Sequence, residues 1–241
     1  MLLLNREYSD GDLSAATSAD LRNIGKDAWP RVLAHCHAPE LRLYHVTLET
    51  LDGIDTLSAT ERLTVEWANK IERLDPVFRM TNLRRLWVFD LPRLRQIEGV
   101  ERLSRLTELQ LSGSRGALTP MLHLDSIKPV ARIANLESFS LVNAKLVDDD
   151  ITPLAECRSL RRLLLSNQFD RAQFAFLAKR LNNQLEQPIQ PCVELKIECR
   201  KCGSGRFMFT GRRMPILCKK CDAQRFDKAC EKFATLVCDA G

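Results

Sequence analysis

The strongest constraint on this 241-residue chain is a spacing of apolar residues that recurs along it. Residues 83–88 carry leucine, leucine and valine in the spacing Leu-x-x-Leu-x-Val, and residues 106–111 carry three leucines in the same spacing 23 residues later. Further copies place apolar residues at Leu41/Leu43, Leu63/Val65, Leu136/Phe139/Leu141 and Leu160/Leu163/Leu165. Alternate residues of a strand point to one face, so each copy predicts a short strand with an inward apolar face. One unit cannot bury that face alone, and the repetition therefore predicts a stacked solenoid.

The segment between the two central copies also has an apolar residue at intervals of three. Its run Ile97-Glu-Gly-Val100-Glu-Arg-Leu103 resembles the returning wall of leucine-rich-repeat proteins in their short, internalin-like form. The resemblance covers about residues 38–190 in six copies and implies an α/β solenoid with a parallel sheet on its concave side. The family usually places asparagine three residues after the last strand leucine, but this chain has Val46, Ala68, Leu91, Ser114, Ala144 and Gln168 there. We therefore expect irregular coils.

The pattern suggests three parts of the chain. Residues 1–37 lie outside the repeat and are predicted to cap the first coil, since an exposed end coil is an open sheet edge. Residues 38–191 hold the repeats, with strands near residues 41, 63, 86, 109, 139 and 163. Residues 192–241 form a C-terminal module, whose first strand at 192–197 is expected to continue the solenoid sheet. A turn-rich insertion at 113–120 is either a binding loop or a tolerated surface loop.

Four cysteines of the C-terminal module have the spacing of a metal site. Cys199 and Cys202 form one Cys-x-x-Cys pair, and Cys218 and Cys221 form a second pair after 15 intervening residues. This spacing predicts a four-thiolate zinc site and resembles a zinc ribbon. Four cysteines fill the coordination shell, so the zinc is expected to be structural. Unligated core cysteines and a rubredoxin-like iron site are the alternatives.

The repeat template also predicts which side chains face the concave side. Aromatic residues with flanking arginines have the composition of an interface hot spot. The predicted protein-binding residues are Tyr44, Arg62, Arg85, Trp87, Phe89, Arg162 and Leu164. This face would be lost if the opening segment folded across it or if the strand register were shifted by one residue.

A second interpretation rests on charge. Residues 199–241 carry ten Lys and Arg against four Asp and Glu, so the tail holds more than the whole net charge of +5. A basic ribbon could neutralise phosphates while Phe207 or Phe209 stacks on bases. The predicted nucleic-acid contacts in this alternative are Arg206, Arg212, Arg213, Lys219 and Lys220. A solvated surface around a structural metal explains the same charges.

Other classes of function are disfavoured by the sequence. The four histidines are scattered, and neither a P-loop nor a dinucleotide-binding fingerprint is present, so no enzyme and no small-molecule substrate are expected. The N-terminal apolar run is too short for a signal peptide, and no membrane association is expected. Nine cysteines without export suggest reduced thiols or metal ligands in the cytoplasm. The leading hypothesis is a module that binds a protein partner. A weaker one is a neutralising, immunity-type partner of a toxin.

Overall fold

The structure is a computed structural model that describes residues 9–114 and 120–240, together with the backbone of residues 2–4. Thirteen strands are present in this part of the chain: β1 (Leu2–Leu4), β2 (Ser18–Ile24), β3 (Glu40–Val46), β4 (Arg62–Glu66), β5 (Arg85–Phe89), β6 (Glu108–Ser112), β7 (Leu122–Leu124), β8 (Ser138–Val142), β9 (Ala144–Leu146), β10 (Arg162–Leu165), β11 (Cys192–Glu198), β12 (Gly205–Phe209) and β13 (Ile216–Cys218). The four helices are α1 (Asp10–Ala15), α2 (Trp29–His35), α3 (Arg171–Leu181) and α4 (Ala223–Asp239).

Eight parallel strands form the main sheet in the order β1-β2-β3-β4-β5-β6-β8-β10. Each repeat places its first inward residue opposite the same residue of the next repeat, so one continuous row runs through Leu41, Leu63, Leu86, Leu109, Phe139 and Leu163. All of these residues except the last are at most 1% exposed. The six predicted repeat strands and the α/β solenoid are therefore confirmed.

The sheet extends beyond the predicted repeats at its N-terminal end. Strand β2 pairs with β3 in the same register as the later repeats, with Ala19 opposite Leu41 and Leu21 opposite Leu43, an offset of 22 residues. Residues 1–37 were expected to lie outside the repeat, but they add a strand in repeat register and a further strand, β1, beside it. The division of the chain at residue 37 stays a prediction, and the sheet crosses it.

The far wall of the solenoid consists mainly of short 3-10 turns, at Ile54–Thr56, Val77–Arg79, Val100–Arg102, Lys128–Arg132 and Thr152–Glu156. Gly99 begins one of them at φ +97°, a conformation that favours glycine. At the other corner, the residue just after or at the end of a strand turns with positive φ in five coils: Asn23, His45, Trp67, Asp90 and Asn143. The coils thus turn one residue before the position that the family gives to asparagine. The predicted insertion at 113–120 lies mostly outside the described residues.

Helix α3 forms the far wall of the last coil. Asp170 caps its N-terminus by accepting a hydrogen bond from the Ala172 N–H at 2.7 Å. Phe174, Leu177 and Leu181 are buried against the solenoid core.

The C-terminal module has its own sheet, and here the sequence prediction was wrong. Strand β11 does not continue the solenoid sheet but forms a separate antiparallel sheet in the order β11-β12-β13. The chain between α3 and β11 contains Pro188 and Pro191, which cannot donate ladder hydrogen bonds. Helix α4 then packs on α3, and its Phe233 joins the main core.

Candidate metal centre and partner-binding face

The four predicted metal ligands lie together in the C-terminal module. All four Sγ atoms of Cys199, Cys202, Cys218 and Cys221 lie within 4.8 Å of one another. The Cys199–Cys221 separation is 3.9 Å and the Cys202–Cys218 separation is 3.5 Å. A tetrahedral zinc ion with Zn–S bonds of about 2.3 Å requires sulfur atoms about 3.8 Å apart. The spacing of the sulfurs therefore fits a tetrahedral metal ion and is too long for a disulfide.

Two tight turns position the four thiols. In the first, the N–H of Gly203 donates to the Cys199 carbonyl at 2.8 Å, and Gly203 itself has φ +70°, a conformation that favours glycine. In the second, the Cys218 N–H donates to the Asp222 carboxylate at 3.0 Å, and the Cys221 N–H donates to the Cys218 sulfur at 3.5 Å. In each turn two residues separate the paired cysteines, and the turn brings both of their sulfur atoms to the same point.

The thiols of the cluster differ in acidity. Backbone N–H donation by Lys201 lowers the pKa of Cys199, and hydrogen bonds from Ser204 lower the pKa of Cys202 to about 6. The hydrogen bond with Cys202 raises the pKa of Cys221 to about 12. Four adjacent thiolates repel one another, so they can all ionise only with a cation between them. The cluster therefore has the donor chemistry of a site for a soft metal cation, with all four ligands supplied by this chain.

The module is fixed to the last coil by polar contacts. The Asn167 amide donates to the Phe209 carbonyl at 2.7 Å and accepts from the Gly211 N–H. Arg171, which is 8% exposed, donates to the Ala229 carbonyl at 2.7 Å. A Cβ on Gly211 would lie 2.7 Å from the Cβ of Arg171, so this contact requires glycine. The metal cluster thus lies in a module that is anchored to the end of the solenoid.

Rows of ion pairs cross the concave face. Arg42 lies between two acids of neighbouring strands, 2.8 Å from the Asp20 carboxylate and 2.7 Å from that of Glu66. Glu40 likewise accepts from Arg85 at 2.6 Å and from Arg62 at 3.4 Å. The predicted contact residues Arg62 and Arg85 are therefore already neutralised. Sequence reasoning missed these rows, although the repeat alignment of Asp20, Arg42 and Thr64, and of Glu40, Arg62 and Arg85, could have revealed them.

The predicted aromatic residues do not all reach the surface. Tyr44 and Trp87 are half-buried, with Arg42 and Arg85 lying 4.8 and 4.3 Å from their respective ring centres. The Trp87 indole N–H donates to the Glu108 carboxylate at 2.9 Å. Phe89 was expected to face outward but is 1% exposed, with the Trp87 ring edge-on to it at 6.3 Å. Phe89 therefore supports this face and does not offer a contact.

Arg162 and Leu164 lie at the opposite end of the concave face, on the last strand, and both are exposed. The two ends are separated by strands β6 and β8. The predicted protein-binding residues thus fall into two groups, one around Trp87 and one on β10.

The basic residues of the nucleic-acid alternative are dispersed over the module. Arg212 forms an ion pair with Asp149 at 2.7 Å, and Arg206 donates to the Ile216 carbonyl at 3.2 Å. Arg213, Lys219 and Lys220 are exposed. Phe209 is fully buried and offers no ring face for a base, whereas Phe207 is half-buried and packs edge-on against Phe226.

Comparison with solved structures identifies leucine-rich-repeat proteins. An internalin (inlF) from Listeria monocytogenes aligns with a TM-score of 0.51 and 16% identity, over 70% of this chain and 47% of that protein. An internalin C2 (inlC2) from the same bacterium aligns with a TM-score of 0.44 and 17% identity, over 62% of this chain and 61% of that protein. A leucine-rich-repeat protein from Leptospira interrogans aligns with a TM-score of 0.47 and 18% identity, over 68% of this chain and 39% of that protein. This chain spans about half the length of the first internalin. No protein-family model and no curated protein matches it.

The first of these similarities shows the fold alone, and it agrees with the parallel sheet described above. The protein has the fold of a leucine-rich-repeat solenoid, with a C-terminal four-cysteine cluster. In the described part of the chain, none of the helices has the length and apolar character needed to cross a bilayer.

Proposed function

We propose that this protein is a non-catalytic interaction module that binds a protein partner on the concave face of its repeats. The observation that carries this proposal is the pair of half-exposed aromatic residues, Tyr44 and Trp87, each lying against an arginine on a rigid parallel sheet. Aromatic side chains held in place by their neighbours lose little entropy on binding and are typical of interface hot spots. The ion-pair rows around them would form the polar rim.

In this proposal a structural zinc ion binds Cys199, Cys202, Cys218 and Cys221 and holds the C-terminal module together. Four thiolates complete a tetrahedral shell, which leaves no position for a reacting water molecule. The role of zinc here is therefore folding of the module and not catalysis. None of the nine cysteines forms a disulfide in the structure, which supports a reducing compartment, and we place the protein in the cytoplasm.

Replacing Trp87 with alanine tests this proposal. Loss of a central aromatic contact should weaken partner binding by about 2 kcal/mol or more. The free energy of unfolding should change by less than about 2 kcal/mol, because the ring is only half-buried and loses chiefly one hydrogen bond and its contacts with Arg85 and Phe89. The measurement is capture from a lysate of the source organism, with and without nuclease treatment, by tagged wild-type and variant chains, with unfolding followed in parallel.

The matched control is the double variant Arg212→Gln and Arg213→Gln in the C-terminal module. It should leave capture unchanged if the concave face is the interface. In the reverse pattern, the double variant would lose a salt-sensitive ligand and Trp87→Ala would not. That result would mean that the basic C-terminal module binds nucleic acid. A loss of about 3 kcal/mol in stability for Trp87→Ala would mean that the ring belongs to the core.

A further inference from the structure

The last coil of the solenoid is open on one side. Strand β10 pairs with β8 and is the final strand of its sheet. Its inward residues Leu163 and Leu165 are only half-buried, whereas Leu109 and Leu111 of β6 are 1% exposed. Leu164, which faces outward between them, is 59% exposed. The C-terminal module is therefore anchored beside the last coil without covering it completely.

The open side of β10 presents unpaired backbone groups. The N–H groups of Arg162 and Ser166 donate to the β8 side, at 2.9 Å to Glu137 and 3.0 Å to Leu141. Alternate residues of a strand direct their N–H groups to opposite sides, so those of Leu163 and Leu165 point away from β8. Among the described residues neither has a hydrogen-bond partner. On that side the Arg161 carbonyl accepts from the Glu186 N–H at 2.9 Å. An edge of this kind is a template for an added strand.

The C-terminal sheet lies across a cleft from this edge. Val193 of β11 and Met208 of β12 are cross-strand partners and both line the cleft, so a face of that sheet forms the opposite wall. The cleft has a volume of about 560 Å³, and its walls include Leu164 from β10 and Val193 from β11, with Phe174 of α3 also lining it. Val193 is 56% exposed. The cleft therefore combines one unpaired strand edge, that of β10, with exposed apolar side chains on both walls.

The polar groups next to this cleft indicate the charge of its ligand. A smaller hollow of about 300 Å³ on the concave side shares Leu163, Leu164 and Gln187 with the cleft and includes Arg162 and Ser140. Two acids also line this hollow: Glu108, which accepts from the Trp87 indole, and Glu186. Within the described parts of the chain Arg162 forms no ion pair, whereas Arg42, Arg62 and Arg85 all pair with acids. The Ser140 hydroxyl is shielded from water and has no hydrogen-bond partner among the described residues. A ligand carboxylate would complement both groups.

We propose that the cleft between β10 and β11 binds an extended segment of a partner protein, which adds to the β10 edge as a further strand. The segment would alternate apolar residues, which pack against Leu164 and Val193, with polar ones, and would carry an acidic residue for Arg162. Main-chain hydrogen bonds supply affinity in this mode of recognition, and alternate side chains supply specificity. This inference rests on the proposed function and adds a second contact region to the face around Trp87.

The test uses the full-length zinc-loaded chain and a phage-displayed library of random eight-residue peptides. We expect enrichment of peptides with alternating apolar residues and an Asp or Glu, and direct binding of the synthetic peptides in a fluorescence anisotropy titration. Leu164→Asp should reduce their affinity about tenfold or more, because it places a charge in the apolar wall. Arg162→Gln should reduce it about threefold at low salt and flatten its salt dependence.

Val147→Asp is the matched control, since Val147 is 75% exposed and does not line the cleft. It should leave peptide affinity unchanged. Peptides with N-methyl groups on alternate residues distinguish strand addition from side-chain contact alone. Methylation of the residues whose amides face β10 should abolish binding, and methylation of the other set should preserve it.

Three results would overturn the inference. In the first, the wild-type chain enriches no peptides beyond those that the Leu164→Asp chain enriches. In the second, N-methylation of either set of alternate residues leaves peptide binding unchanged. In the third, the chain forms a dimer through Leu164 and the peptides do not displace the second copy. Any of them would leave the proposed function standing if Trp87→Ala still abolished partner capture. Conversely, peptide binding at β10 with no effect of Trp87→Ala on capture would refute the Trp87 face and keep the cleft.

Discussion

Replacement of Cys218 by serine is expected to release the metal and unfold the C-terminal module while the central coils stay folded. Cys218 is 1% exposed and contributes one of four converging sulfurs, so its replacement by serine removes one of the four thiolate ligands. Metal binding and folding of such small modules are coupled, and the expected loss is therefore the whole local fold. The solenoid contacts are between neighbouring coils, so coils far from the module should be unaffected.

Elemental analysis and hydrogen exchange check this expectation together. The wild-type chain, purified without added metal, should contain about one equivalent of zinc, and the variant none. Backbone protection should be lost in β11, β12 and β13 and in the coil of β10, while β4, β5 and β6 keep theirs. Cys238→Ser is the control, because Cys238 is exposed and lies outside the cluster. A metal-free chain with a folded module would refute the zinc site, and loss of protection throughout would mean that the module nucleates the solenoid.

The second large effect is expected in the middle of the solenoid. Leu109→Ala should destabilise the fold by about 3 to 5 kcal/mol, because its 1% exposed side chain lies between Leu86 and Phe139 in the inward row and would leave a cavity. Chemical denaturation followed by tryptophan fluorescence measures this change, since all three tryptophans lie in the N-terminal half of the chain.

Leu163→Ala is the matched variant in the same row, on the last strand of the main sheet. Leu163 is only half-buried beside the open cleft, so its loss should cost less than half as much as that of Leu109. Because this site is distant from the tryptophans, hydrogen exchange at β8 and β10 should accompany the fluorescence measurement. Equal costs at both positions would show that the last coil is as closed as the middle ones and that the cleft is not open in solution.

The repeat strands could be predicted from sequence because one physical requirement recurs in each of them. Every coil must bury the residue that aligns with Leu86, and the spacing of that residue fixes both the strand and its register. The metal ligands were predictable for a similar reason, because two residues between cysteines are what a tight turn needs to bring both sulfurs to one ion.

Other features could not be read from local patterns. The alternation in residues 192–197 predicts a strand, but the same alternation suits any sheet, and the pairing of β11 with β12 depends on where the chain turns after α3. Phe89 occupies an outward position of its strand, yet it is buried on the concave side with the Trp87 ring beside it. Strand β2 was missed because its unit has Ala19 at the first inward position and a far wall of a different type.

The most direct test of the proposed interaction function places a photo-reactive group on the concave face. Tyr44 is suited to this because it is an aromatic residue already, is half-buried, and lies against Arg42. Benzoylphenylalanine at position 44 should yield one discrete protein adduct after irradiation in a lysate of the source organism, and the same group at position 147 should yield none. Absence of an adduct at position 44, equal labelling at both positions, or an adduct with nucleic acid would contradict the account.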